Sequence, residues 1–254
     1  MRFHLSGTTI DVNMRDAPMA LSAVAGRLRA GEGFALATLN LDHLVKLRRA
    51  PAFRAAYAAQ DLVTADGNPV VWLSRLAGAP VALAPGSDIV VPLCALAAEL
   101  GRPVGFLGST DNALAQAERA LRALVPGLEV RARIAPSFDF DPLGAEAAEH
   151  LAALEAAGVA LCFLALGAPK QEMLAARARQ VAPGLGLVSV GAGLDFLAAP
   201  GTRAPAWMRR LALEWAWRLL RDPGRLAGRY LACFAILPGL IRAALIQRAA
   251  ARAP

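Results

Sequence analysis

Lysine is almost missing from this chain. Of its 27 Lys plus Arg, only Lys46 and Lys170 are Lys; every other basic residue is Arg. Histidine is as scarce. His4, His43 and His150 lie far apart, which argues against a His-based metal site and against a Ser-His-Asp triad. The three cysteines, Cys94, Cys162 and Cys233, show no metal-ligand spacing, and their odd number does not suit a disulfide framework, so the chain reads as one of a reducing compartment. No apolar run reaches the ~20 residues of a membrane span. One such run, Tyr230–Ile241 (YLACFAILPGLI), is broken by Pro238 and Gly239 and reads as a buried or interfacial helix. The opening MRFHLSGTTIDVN is too short and too interrupted for a signal peptide. Dinucleotide and Walker A fingerprints are also missing: in GAGLDF, Phe196 stands where the third glycine of G-x-G-x-x-G would be.

What is present is a chain of 254 residues, 56% hydrophobic, able to bury a large core rather than stay disordered. The net charge of +7 suggests an anionic partner. That charge is concentrated at one end. Residues 203–254 carry Arg203, Arg209, Arg210, Arg218, Arg221, Arg225, Arg229, Arg242, Arg248 and Arg252 against Glu214 and Asp222, leaving the rest nearly neutral. A GC-rich genome would explain Arg in place of Lys but not the clustering. Trp207, Trp215, Trp217 and Tyr230 interleave with these arginines. On helices this is the composition of a membrane-surface element; a basic helix docked on a core is the plainer alternative.

Short apolar runs alternate with helical patterns. FALATLN (34–40), DLVTADG (61–67), PVGFLGS (103–109), LEVRARIAP (128–136), VALCFLALG (159–167) and LGLVSVGAG (185–193) read as strands. Helices are expected from Leu41, over Thr110–Leu124 with Ser109 or Thr110 as cap, over Ala145–Ala157 and over Lys170–Val181. VALCFLALG is nearly all apolar, as a strand covered on both faces should be. The alternation predicts an α/β fold, a mostly parallel sheet with flanking helices. After Thr202 the strands stop. Pro200 and Gly201 mark an expected boundary between a domain of residues 1–200 and a helical appendage of residues 201–254.

In such a sheet, ligands bind outside the carboxyl ends of the strands. Those ends are Thr38-Leu39-Asn40, Asp66-Gly67-Asn68, Gly108-Ser109-Thr110, Gly167-Ala168-Pro169-Lys170-Gln171-Glu172 and Gly191-Ala192-Gly193-Leu194-Asp195. Each alone has a bland reading. Asp66-Gly67 is a common turn, Ser109-Thr110 an ordinary cap, and Lys170 with Glu172 a solvated first helical turn. Asp139-Phe140-Asp141 mimics the D-x-D of metal-dependent sugar transferases, but in its Pro-flanked loop it reads as a turn.

Together, TLNLDHL (38–44), ADGNPVVW (65–72), PGSD (85–88), FLGS (106–109), LGAPKQE (166–172), VGAGLDF (190–196), RAPAWMRRLALEW (203–215) and RLLRDPGRLAGRY (218–230) resemble, in order, the WecG/TagA/CpsF glycosyltransferases of bacterial envelope polysaccharide synthesis. The resemblance implies a Rossmann-like fold with a C-terminal appendage that carries arginines toward the active site and membrane. It implies an inverting transferase, peripheral on the cytoplasmic membrane face, moving a hexosyl unit (N-acetylmannosamine, its uronic acid or glucose) from a UDP-sugar to a polyprenyl-diphosphate-linked sugar, with no cofactor. Asp66 resembles the general base, and Thr38 and Asn40 active-site groups near the donor sugar. Gly108 and Gln171 resemble substrate-binding positions, Asp195 a uridine contact, and Arg218, Arg225 and Arg229 the appendage arginines. The chain departs from the family at Leu83-Ala84-Pro85, where an Arg often precedes the Gly-x-Asp matched by Gly86-Ser87-Asp88.

Displacement at an anomeric carbon needs a base for the acceptor hydroxyl, alignment, and stabilisation of the departing diphosphate. Asp66 at a strand end suits the first, and arginines, planar and always charged, suit the third. Lys170, after a buried strand and at a helix N-terminus, can add a cation where anions are already favoured, or can anchor its loop. Two other classes remain open from the residues alone: a non-catalytic basic module for membrane or nucleic acid, and another nucleotide-dependent α/β enzyme. No nucleic-acid motif or stacking platform supports the former's nucleic-acid form, and the missing fingerprint counts against the latter.

Overall fold

The computed structural model describes residues 1–198, 204–205, 207–208 and 211–252. The expected boundary at Pro200–Gly201, and Arg203, Arg209 and Arg210, lie outside the described residues. A small antiparallel hairpin comes first, β1 (Arg2–Leu5) and β2 (Thr8–Asp11). The sequence reading had not found it. The main body follows as α1 (Ala17–Ala30), β3 (Phe34–Leu39), α2 (Leu41–Arg49), α3 (Pro51–Ala58), β4 (Leu62–Ala65), α4 (Asn68–Leu76), α5 (Gly86–Glu99), β5 (Val104–Gly108), α6 (Asp111–Leu124), β6 (Val130–Ile134), α7 (Ala145–Ala156), β7 (Leu161–Ala165), α8 (Lys170–Val181), β8 (Gly186–Ser189) and α9 (Gly193–Ala198). Among the described residues two further long helices follow, α10 (Glu214–Arg221) and α11 (Pro223–Ala250).

β3 to β8 form one six-stranded sheet in the order β4-β3-β8-β7-β5-β6, every pair parallel. The four inner strands are buried nearly throughout, because helices cover both faces. Side chains alternate between two cores. Phe34 and Leu36 join Phe106, Phe163 and Val188 under α1, α5 and α6. Ala37 and Leu39 turn the other way, onto α2, α3 and α4, and Ala35 onto α7 and α8. Edge strand β6 is less buried and carries Arg131 and Arg133, which blunt it as a template for another chain.

Helix starts follow their capping residues. The side chains of Asp16, Asn40, Thr110 and Asp222 accept from the backbone N–H groups of Met19, His43, Ala113 and Arg225, which fixes where α1, α2, α6 and α11 begin. The last helix corrects the sequence reading. Pro238 and Gly239 do not interrupt it; α11 is continuous over 28 residues. Proline removes one helical hydrogen bond and crowds the carbonyl one turn before it; the helix runs through Pro238, which lies on its exposed side. By length and composition α11 could cross a membrane, the one such helix among the described residues. It lies against α2 and α4 and inserts Leu240 and Ala244 among Leu44, Leu47, Val70 and Leu73.

Candidate active site

The candidate strand-end residues gather at the carboxyl edge of the sheet because the strands are parallel. β3 and β4 run in register, Thr38 beside Thr64 and Leu39 beside Ala65, so Asn40 and Asp66 leave the sheet side by side. Asp66 N–H donates to Leu39 O at 2.8 Å, and Asn40 Nδ2 donates to Asp66 Oδ2 at 3.3 Å. The same Asn40 caps α2 through Oδ1, which fixes its amide orientation. Gly67 permits the turn: its φ of 110° is one that L side chains rarely adopt. Thr38 is almost wholly buried one residue before the strand's end.

Desolvation pushes the Asp66 carboxyl up from its ordinary 3.8. The Asn40 hydrogen bond and the positive charge of Arg218 pull it back, while Glu214 and Asp88 raise it further. Arg218 and Glu214 belong to α10, so that helix reaches this corner of the sheet. Arg218 Nη2 pairs with Glu214 Oε1 at 2.6 Å, and its guanidinium lies 5.2 Å from the Phe196 ring centre. Leu83, in the Leu83-Ala84-Pro85 stretch, makes a bridge with Ala65 and is exposed. Leu83 thus joins the backbone next to Asp66, and Arg218 acts on the Asp66 carboxyl electrostatically.

A second group surrounds the ends of β5, β7 and β8. The helix after β5 lies on one face of the sheet and the helix after β7 on the opposite face, which opens a crevice between the two strand ends. The cleft there holds about 580 Å³ and is lined by Ser109, Thr110, Lys170, Pro136, Phe138 and Phe140, among others. Gly108 (φ 122°) lets β5 run against β7; any side chain at that position would collide with the Ala165 carbonyl. Ser109 Oγ donates to Asp195 Oδ1 at 2.6 Å, tying the loop after β5 to α9. Phe138 is 98% exposed at the cleft's rim. Its loop is nonetheless held on both sides. Glu146 takes the N–H and hydroxyl of Ser137, and Phe140 stacks on His150.

The LGAPKQE segment divides into exposed and buried parts. Lys170 lines the cleft, half-buried. Gln171, expected as a substrate contact, is 3% exposed: its Oε1 accepts from Gly191 N–H at 3.0 Å and its Nε2 donates to Glu172 Oε1 at 2.8 Å. Glu172 is wholly buried, so the solvated-turn reading fails for it. Burial raises its carboxyl to about 7. Its Oε2 and Gln60 Oε1 are buried without a hydrogen-bond partner among the described residues. Nearby, His43 is driven down to about 3 by burial and is neutral, facing the Tyr57 hydroxyl at 3.4 Å.

The other appendage arginines differ in their surroundings. Arg225 pairs with Asp222 at the start of α11. Arg229 reaches Asp42 at 2.6 Å, and Asp42 also pairs with Lys46 at 3.0 Å. Neither Asp42 nor Lys46 was picked out in the sequence as a functional residue; the i, i+4 spacing on α2 was their only signal. Among the described residues no group of three or more His, Cys, Asp or Glu is gathered to hold a metal ion.

An open parallel sheet with a carboxylate, an arginine and a crevice at its carboxyl edge defines an α/β enzyme of the ligand-at-strand-ends class. The chain belongs to the glycosyl transferase WecG/TagA/CpsF family, whose model matches residues 4–252. That match includes both C-terminal helices, and the chain is accordingly a glycosyltransferase.

Proposed function

We propose that this glycosyltransferase inverts the anomeric centre of a UDP-hexose and passes the sugar to a polyprenyl-diphosphate-linked acceptor, with Asp66 as the general base. The observation that carries the reading is the Asp66 corner. A carboxyl raised by desolvation, one oxygen held by Asn40 and a cation within electrostatic reach, is suited to receive a hydroxyl proton. In the proposed step the acceptor O–H proton passes to Asp66. The acceptor oxygen bonds to the anomeric carbon, and the bond from that carbon to the UDP oxygen breaks. Negative charge grows on the diphosphate, and Arg218 takes the place of the family arginine missing at Leu83-Ala84.

The cleft at β5 and β7 suits the donor nucleotide. Phe138 offers a flat apolar face to the base, Lys170 a cation to phosphate, and Asp195 an acceptor to ribose hydroxyls beside Ser109. Gln171 acts on this reading as the brace of the Gly191 loop rather than as a direct ligand. The acceptor's lipid favours the appendage, residues 201–254, as the membrane-facing part on the cytoplasmic face. The outer side of α11 supports this: Leu231, Phe234, Ile241 and Leu245 are exposed there at helical spacing.

The test is transfer from a panel of UDP-hexoses to a polyprenyl-diphosphate monosaccharide with chelator present, comparing the intact protein with Asp66→Asn. Product from one donor, lost in the variant while UDP still binds, is expected. Full turnover by Asp66→Asn would remove Asp66 as base.

A further inference from the structure

Lys46, one of the chain's two lysines, does more than pair with its helix neighbour. Its Nζ donates to Ala168 O at 2.9 Å, across 122 residues of sequence. Ala168 belongs to the loop after β7, which leads into Lys170, Gln171 and Glu172. Lys46 stands on α2, after β3. Between β3 and β7 lies β8. Lys46 therefore spans the end of β8, whose own loop is braced from the α8 side by Gln171 through Gly191. The helix after β3 and the loops after β7 and β8 are joined by two side chains.

Asp42 governs what Lys46 can do. Its side chain is 11% exposed, and one oxygen, Oδ2, faces both Lys46 Nζ at 3.0 Å and Arg229 Nη2 at 2.6 Å. Without Arg229 a nearly buried carboxylate would have Lys46 as its sole cation in this cluster and would compete with Ala168 for it. With Arg229 present, the carboxylate is neutralised from α11 and Lys46 can hold the carbonyl. Asp42 also lies two residues after Asn40, the side chain that touches Asp66.

We propose that Arg229, Asp42 and Lys46 form a positioning relay through which docking of the C-terminal helix sets the Leu166–Lys170 loop for transfer. Arg229 in this relay is not a ligand of the diphosphate. It acts through Asp42 and Lys46 on the Ala168 carbonyl, and so on the first turn of α8. That turn is closed by Gln171 N–H to Gly167 O at 3.2 Å and Met173 N–H to Pro169 O at 3.1 Å. Amide exchange there reports the loop's placement whatever the substrate. The rate part of the proposal rests on the UDP-hexose reading; the exchange part does not.

The experiment compares full-length protein with Lys46→Met, Arg229→Gln and the double variant, each first shown folded by thermal melting. Expected is a loss of about tenfold in turnover at saturating donor for each single variant, with UDP affinity changed less than about threefold. The double variant should be no worse than the poorer single, because one chain of contacts is cut once or twice. Arg229→Lys, which keeps the charge, should recover most of the loss. Peptides covering 166–173 should exchange faster in both single variants. Additive losses would overturn the relay. So would UDP affinity that falls tenfold in Arg229→Gln alone, or unchanged exchange over 166–173 in folded variants. If the unaltered protein transfers no hexose from any UDP donor, the donor reading has failed; the exchange comparison then decides the relay by itself.

Discussion

The base role proposed for Asp66 requires it to be unprotonated when the acceptor arrives, and its surroundings set when that happens. Desolvation raises its pKa, so the acid limb of kcat/KM should lie above the pH of an ordinary carboxylate, with activity rising as pH rises through it. Asn40 stabilises the charged form; Asn40→Ala should shift that limb to higher pH, as measured by pH–rate profiles. Asp66→Asn should reduce transfer by at least about 100-fold while calorimetric UDP affinity stays within about threefold. Phe138→Ala tests the cleft: UDP affinity should weaken about tenfold, in line with the roughly 1–3 kcal/mol of a base–aromatic stack, with no change in melting temperature. Glu172 belongs to stability. Its pKa rises from 4.5 to about 7 on folding, so the folded state binds the extra proton in between, and stability falls as pH rises across that window. Glu172→Gln should flatten this dependence, removing up to about 3 kcal/mol of difference between pH 4.5 and pH 8 in denaturant titrations.

At the level of elements, α11 is one helix with two neighbours: protein on one side and an exposed apolar stripe on the other. Leu231→Glu with Leu245→Glu should cut binding to anionic vesicles in flotation assays and leave the melting temperature nearly unchanged. Leu240→Ala, on the inward side, should cost about 2–3 kcal/mol and leave vesicle binding intact. The six parallel strands were readable because β-rich apolar runs such as VALCFLALG announce burial on both faces. The strand ends were readable because Asn, Asp and Gly punctuate them. The hairpin of β1 and β2 was not, since four-residue strands of mixed polarity carry little periodicity. Nor was the continuity of α11, because the sequence does not say which way Pro238 points. Asn40 and Asp66 could be named from their places after strands; the burial of Gln171 and the three-way meeting at Asp42 could not, being products of tertiary packing.

Across the whole molecule, the arginine excess divides by location. Arg218 acts on Asp66 at the sheet's corner, Arg229 at the core's edge, and Arg225 at a helix cap. Deleting residues 203–254 would therefore remove several things together: the cation near Asp66, the partner of Asp42, and the apolar side chains that fill the space over α2 and α4. Such a truncation should melt lower and lose activity as well as membrane attachment, so surface substitutions on α11 separate the effects more cleanly.

The placement of Leu240 and Ala244 also bears on how the chain is made. α2 and α4 emerge from the ribosome early, yet the helix that covers Leu44, Leu47, Val70 and Leu73 begins only at Pro223, far behind the end of α4 at Leu76. Through most of translation that surface has no lid of its own. Nascent chains should be prone to association until α11 arrives, and chains terminated before Pro223 should aggregate rather than fold as shortened enzymes.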